Sequence, residues 1–99
     1  MKIFNLSDPN LVNGTSFFGD TIRTSFKALE ERLGVAAYYF GDEKVTFELE
    51  LETETGIPFT IYDWKEGWLS KSTTAYLHIG ARNAEESHMA LEAVKTIMA

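Results

Sequence analysis

Residues 45–52 alternate between apolar and polar side chains, and this pattern constrains the fold more than any other part of the chain. In an extended strand, one side would carry Val45, Phe47, Leu49 and Leu51, and the other Thr46, Glu48, Glu50 and Glu52. The pattern predicts a strand with one face in a hydrophobic core and an acidic face in water. Such a division is typical of an antiparallel sheet.

Further strands are predicted on both sides of this one. After a turn at residues 53–56, apolar Ile57, Phe59 and Ile61 alternate with Thr60, Tyr62 and Trp64. Pro58 donates no hydrogen bond, which places that end of the strand at a sheet edge. Residues 74–79 alternate again and Gly80 is expected to end that strand, while residues 35–40 are β-prone and residues 3–6 could add a short edge strand.

Two helices are predicted, one before residues 45–52 in the sequence and one after residues 74–79. The first begins after an N-cap at Thr15 or Ser16 and ends near Gly34, with an apolar stripe spaced by four, four, three and four residues: Phe18, Ile22, Phe26, Leu29 and Leu33. The second runs from about Ala84 to the end of the chain. Asn83 is its N-cap, and Glu86 occupies the third helical position.

These elements predict an α+β domain, with an antiparallel sheet of three to four strands and the N-terminal and C-terminal helices packed on one face. Residues 1–99 form a single domain in this interpretation, with residues 1–14 as an ordered arm. The predicted core consists of Phe18, Ile22, Phe26, Leu29, Phe47, Leu49, Phe59, Ile61, Leu77, Ile79, Leu91 and Val94.

Composition narrows the classes of function. The chain has no cysteine, no apolar segment of the length that spans a bilayer and no signal-peptide pattern, so we expect a cytoplasmic protein without membrane contact. Its net charge of −6 opposes direct nucleic-acid binding, although an acidic surface could address a basic partner. No metal, cofactor or catalytic motif is present, which predicts a non-enzymatic protein.

The polar side of the predicted sheet is the candidate binding face. It would carry Glu48, Glu50, Tyr62, Trp64, Tyr76 and His78. Exposed aromatic clusters commonly mark contact surfaces. The alternative is that the N-terminal arm, or the loop at residues 65–72, covers this face. Around the strand ends, Lys65, Trp68 and Arg82 could join these aromatic side chains in holding a nucleotide-like ligand.

Residues 61–65 read Ile-Tyr-Asp-Trp-Lys, and residues 78–80 read His-Ile-Gly just before the last helix. In these segments the chain resembles small phage-encoded accessory proteins that have a Tyr-Asp-Trp-Lys strand end and a Trp-His-Ile-Gly strand. The resemblance covers about residues 45–99, with Leu77 at the position where those proteins tend to carry Trp. It implies a non-enzymatic protein of the host cytoplasm that neutralises a host defence.

Three functions stay open at this point. The leading prediction is a binding protein that neutralises a host protein by occupying it through the aromatic sheet face. The second is a sponge that sequesters a small nucleotide signal, gripped by aromatic side chains with Lys65 or Arg82. In the third, the chain self-associates as a structural homo-oligomer through the same face.

Overall fold

A computed structural model of the chain describes residues 2–99, which form six strands, two α-helices and a 3₁₀ turn at Pro9–Val12. The strands are β1 (Ile3–Asn5), β2 (Ser16–Thr24), β3 (Tyr38–Tyr39), β4 (Phe47–Thr53), β5 (Pro58–Tyr62) and β6 (Ala75–Ala81). The helices are α1 (Phe26–Leu33), which follows β2, and α2 (Ala84–Met98), which follows β6.

All six strands belong to one antiparallel sheet in the order β1-β4-β5-β6-β2, and β3 pairs with β4 on the same edge as β1. The prediction of three to four strands was therefore wrong. The short strands β1 and β3 complete one edge, and β2 forms the other edge from residues that were assigned to a helix. The predicted α+β class and the antiparallel pairing are confirmed.

The first helix is half as long as predicted, because residues 16–24 form β2. Helix α1 begins only after Ser25, whose side-chain oxygen accepts a hydrogen bond from the Ala28 N–H at 3.1 Å. Residues four apart lie on the same side of a strand as well as of a helix, so the spacing of Phe18, Ile22 and Phe26 fits both. Only the later spacing of three, from Phe26 to Leu29, distinguishes the helix.

The core lies between the sheet and the two helices, which share one face as predicted. Leu49, Phe59, Ile61, Leu77 and Ile79 from the strands are inaccessible to solvent there, as are Phe26, Leu29 and Val94 from the helices. Two predicted core residues differ. Phe47 is only partly buried at the margin of the core, and Phe18 is exposed. The register between β2 and β6 shifts between Phe17 and Thr21, so Phe18 has no paired residue on β6.

The N-terminal arm crosses the sheet, because β1 and β2 occupy opposite edges. After β1 the chain continues along β4, where the Leu6 N–H donates to the Glu50 carbonyl at 2.8 Å, and the 3₁₀ turn then lies against β5. Pro58 and Thr60 are buried on the side away from the helices. The arm therefore covers one part of the face that was predicted to be open.

Pro58 and Gly80 have roles that differ from the predicted ones. Strand β5 is internal, and Pro58 is tolerated as its first residue because the ladder to β6 ends at the Thr60–Gly80 pair. Gly80 does not end β6, which continues to Ala81. A methyl group at Gly80 would collide with the Thr60 hydroxyl, so Gly80 leaves space for a buried neighbour.

Helix α2 matches its prediction closely. The side chain of Asn83 accepts a hydrogen bond from the Glu86 N–H at 2.8 Å, and the helix runs from Ala84 to Met98. Over residues 2–99, neither helix combines the length and the apolar content required to cross a bilayer.

Candidate binding face

The sheet register aligns a row of side chains on the face opposite the helices. Paired residues of an antiparallel sheet point to the same side. Tyr38 pairs with Glu48, Glu48 with Tyr62, Tyr62 with His78, and His78 with Thr21. This row lies beyond the part that the arm covers. The face is therefore covered by the N-terminal arm in one part and open in another.

Ring contacts link the exposed part of this face. The Phe17 and His78 rings are stacked with centroids 4.0 Å apart, and Tyr62 lies 5.5 Å from His78 and 6.4 Å from Trp64. Tyr76 completes the set, which we call the aromatic face: Phe17, Tyr62, Trp64, Tyr76 and His78. Phe17, Trp64 and Tyr76 have exposed fractions of 42%, 41% and 62%. Four of the five rings are therefore joined by ring contacts, and residues 2–99 leave three of the five exposed.

Two carboxyl groups border the aromatic face on β4. Glu48 lies between Tyr38 and Tyr62 in the register, and Glu50 follows on the same side of the strand. Partial burial raises the pKa of Glu48 to about 8, with further contributions from a hydrogen bond to Glu50 and from its charge. The ion pairs Lys71–Glu30 and Arg82–Glu86 involve neither carboxyl. Within residues 2–99, no lysine or arginine therefore forms an ion pair with Glu48 or Glu50.

Burial shifts the neighbouring titratable groups as well. It raises the pKa of the Tyr62 hydroxyl, to which the charge of Glu48 adds. It lowers the pKa of His78, an effect that the charge of Glu66 partly opposes. Because its pKa is below the ordinary value of 6.5, His78 is mostly neutral at pH 7, and its ring serves the aromatic face as a flat, uncharged surface.

A buried carboxylate anchors the segment that carries Trp64. Asp63 is inaccessible to solvent, and its two oxygens accept hydrogen bonds from the backbone N–H groups of Thr46 and Phe47 at 2.9–3.0 Å. The Thr46 hydroxyl in turn accepts from the Leu69 N–H at 3.0 Å. The end of β5, the start of β4 and the following loop are thus joined at one buried point.

Most predicted site residues meet on this face. The structure brings together Glu48, Glu50, Tyr62, Trp64, Lys65, Tyr76 and His78. Trp68 is exposed in the adjoining loop but takes no part in the ring contacts above. Arg82 lies away from the Trp64 end of the face. It forms two hydrogen bonds of 2.7 Å with Glu86, and it stands six residues along the chain from Tyr76, about 20 Å in an extended strand.

Several residues of the face were missed. Phe17 was placed in a helix, although Gly19 and the β-branched Thr21, Ile22 and Thr24 favour a strand over residues 16–24. Arg23 pairs with Tyr76 in the register, and its guanidinium lies 5.9 Å from that ring. Tyr38 and Lys44 reach the site only through tertiary contacts, so no local signal in the sequence could have identified them.

Comparison of the chain with protein-family models, with curated proteins and with solved structures finds no match.

Proposed function

We propose that this chain is a non-enzymatic binding protein that acts by occupancy, covering a basic surface of a protein partner with its aromatic face and the Glu48–Glu50 pair. The observation that carries the proposal is the continuity of the aromatic face. Ring contacts join Phe17, His78, Tyr62 and Trp64 in one chain, Tyr76 follows on the same face of β6, and three of the five rings are at least two-fifths exposed.

Aromatic side chains suit a contact surface because each one buries a large area while losing little rotamer freedom. The ring contacts already restrict Phe17, Tyr62 and His78, so part of the entropy cost of ordering them is met in the free protein. A partner would then gain most from covering Tyr76, the most exposed ring of the face, together with Trp64 and Phe17, which are about equally exposed.

The carboxyl pair supports a basic partner. Glu48 and Glu50 repel each other when both are ionised, and this repulsion contributes to the raised pKa of Glu48. A lysine or arginine side chain from a partner would relieve it, and a net charge of −6 would speed the encounter. The resemblance of residues 61–65 and 78–80 to phage accessory proteins supports a host defence factor as the partner.

The proposal is tested in two steps. The tagged protein and its Tyr76→Ala variant are used to capture proteins from a host lysate, with Tyr39→Ala as the matched control. Tyr39 is as exposed as Tyr76, but it pairs with Phe47 on the helix side of the sheet. We expect a partner that the wild type and the control retain and that Tyr76→Ala loses.

The second step measures association kinetics with that purified partner. Reversing the charge at Glu50 with Glu50→Lys should slow association more than it speeds dissociation, and added salt should reduce the wild-type rate. Equal capture by Tyr76→Ala and the wild type, or an association rate that Glu50→Lys leaves unchanged, would contradict the proposed face.

A further inference from the structure

Two lysine side chains converge on one indole ring of the aromatic face, that of Trp64. The Nζ atoms of Lys44 and Lys65 lie 5.9 and 5.8 Å from the centroid of the Trp64 ring. Neither ammonium forms an ion pair within residues 2–99, where the acidic partners of lysine and arginine are Glu30 and Glu86. Backbone hydrogen bonds from Val45 and Lys44 lower the pKa of Asp42, in the turn before Lys44, and the charge of Lys44 adds to this effect.

The backbone holds the two lysines together in the free protein. The Lys65 N–H donates to the Lys44 carbonyl at 2.8 Å, and the buried Asp63 clamps the residues that follow Lys44. Among residues 2–99, the non-glycine residues in the left-handed backbone region are Lys65, with φ of 58°, and Trp68, with φ of 48°. Such conformations persist where surrounding contacts impose them. The segment is therefore built in advance rather than assembled by a ligand.

We infer that Trp64, Lys44 and Lys65 form a binding site for a mononucleotide, which shares Trp64 with the protein contact proposed above. Two ammonium groups that each lie within 6 Å of the Trp64 ring and form no ion pair favour an anion beside that ring, and phosphate accepts charge-assisted hydrogen bonds from both. The half-exposed indole offers a flat surface on which a base can stack.

Binding exchanges one set of contacts for another. In the free protein the ammonium groups lie over the Trp64 ring, a cation–π contact that is weak where solvent reaches it. A nucleotide would draw both ammonium groups to its phosphate and would leave the ring for its base. A longer nucleic acid is disfavoured because the chain carries a net charge of −6.

The site differs from the one expected from the sequence. Arg82 is paired with Glu86 and stands at the opposite end of β6, so it cannot share a phosphate with Lys65. Lys44 takes that place, from the turn before β4.

The test uses calorimetric titration of the full chain with AMP, ADP, GDP, UDP and cyclic AMP, and with adenosine and pyrophosphate as the separate halves of a nucleotide. We expect at least one nucleotide to bind at least tenfold more tightly than adenosine and than pyrophosphate. The double variant Lys44→Gln/Lys65→Gln should weaken that nucleotide at least tenfold. Lys27→Gln, which removes one positive charge from α1 on the other side of the sheet, should leave it unchanged.

A Trp64→Leu variant separates stacking from charge. It should weaken the nucleotide severalfold and leave the weak binding of pyrophosphate as in the wild type. The inference is overturned if no nucleotide of the panel binds, if adenosine binds as tightly as its nucleotides, or if the double lysine variant binds as the wild type does. None of these results depends on capture of a protein partner through Tyr76 and Glu50, so the two proposals fail separately.

Discussion

Asp63 is a single buried carboxylate that supports the site without touching any candidate ligand. Its two oxygens together accept from two backbone N–H groups, and it has no exposed surface. A buried N–H that loses its acceptor costs free energy, because water cannot replace the lost bond. The position of Trp64 and Lys65, the next two residues, therefore depends on the charge and geometry of Asp63.

Replacing Asp63 with Asn should lower the free energy of unfolding by about 1–3 kcal/mol, because the amide keeps only one oxygen acceptor and turns an NH₂ group toward N–H donors. Urea unfolding measures the change. The matched control is Asp8→Asn, at the exposed N-cap of the 3₁₀ turn, where Asn caps as well as Asp does. Equal effects at both positions would contradict the anchoring role.

Glu48 should make stability depend on pH. Its folded pKa of about 8 lies above its ordinary value of 4.5, so the folded chain holds a proton that the unfolded chain has lost. Below pH 4.5, Glu48 is protonated in the folded and in the unfolded chain. The free energy of unfolding then falls as the pH rises from 4.5 toward 8, and it levels off above pH 8. Because the side chain is partly exposed, we expect a total fall of only about 1–2 kcal/mol.

The variant Glu48→Gln should remove this fall, and Glu50→Gln should reduce it, because the neighbouring charge and hydrogen bond are lost while burial remains. Urea unfolding at pH values from 5 to 8.5 measures it. A wild-type curve parallel to that of Glu48→Gln across this range would contradict the raised pKa.

At the scale of elements, the boundary between β2 and α1 is the largest departure from prediction. The apolar spacing of four predicted a helix from residue 16, whereas the chain stays extended to Thr24 and turns into a helix after Ser25. Strand β2 pairs along β6 and supplies Phe17 to the aromatic face. The helix predicted for residues 16–24 therefore explains both differences, because it left out β2 and with it the Phe17 ring.

The start of α1 can be tested by comparing two serines. Ser25→Ala removes an N-cap hydrogen bond to Ala28 and should lower the free energy of unfolding by about 1 kcal/mol. Ser16→Ala should change it little, because Ser16 is exposed at the first position of β2. Thermal or urea unfolding of the two variants decides the matter, and a larger loss at Ser16 would favour the long helix.

For the whole molecule, the sheet order predicts how amide protection is distributed. Strand β5 has a neighbour on both sides, and four of its five residues are buried. Strand β3 has two exposed residues at an edge. Local opening requires less disruption at such an edge, so it exposes those amides more often.

Hydrogen exchange followed by NMR should therefore find the slowest amides at Thr60 and Ile61 and the fastest strand amides in β3, after correction for unfolded-chain rates. Residues 21–24 should show intermediate protection together with strand-type Cα shifts. Helical shifts in that segment, or equal protection of β3 and β5, would contradict the six-stranded order.

Elements with an unambiguous local period could be predicted from the order of their residues alone. Strict alternation in residues 45–52 requires a strand, and α2 combines a helical stripe with the Asn83 cap, so both match the structure. Alternation in the next two strands likewise predicted that Tyr62, Tyr76 and His78 face away from the core, and the structure has them there.

The remaining elements and contacts depend on pairing between segments that are distant in the sequence. Residues 16–24 satisfy a helix and a strand equally at a spacing of four, and pairing with β6 selects the strand because its backbone groups are satisfied there. The arm covers Thr60 because β1 and β2 occupy opposite edges. Lys44 meets Trp64 across twenty residues of chain, through hydrogen bonds that no local pattern encodes.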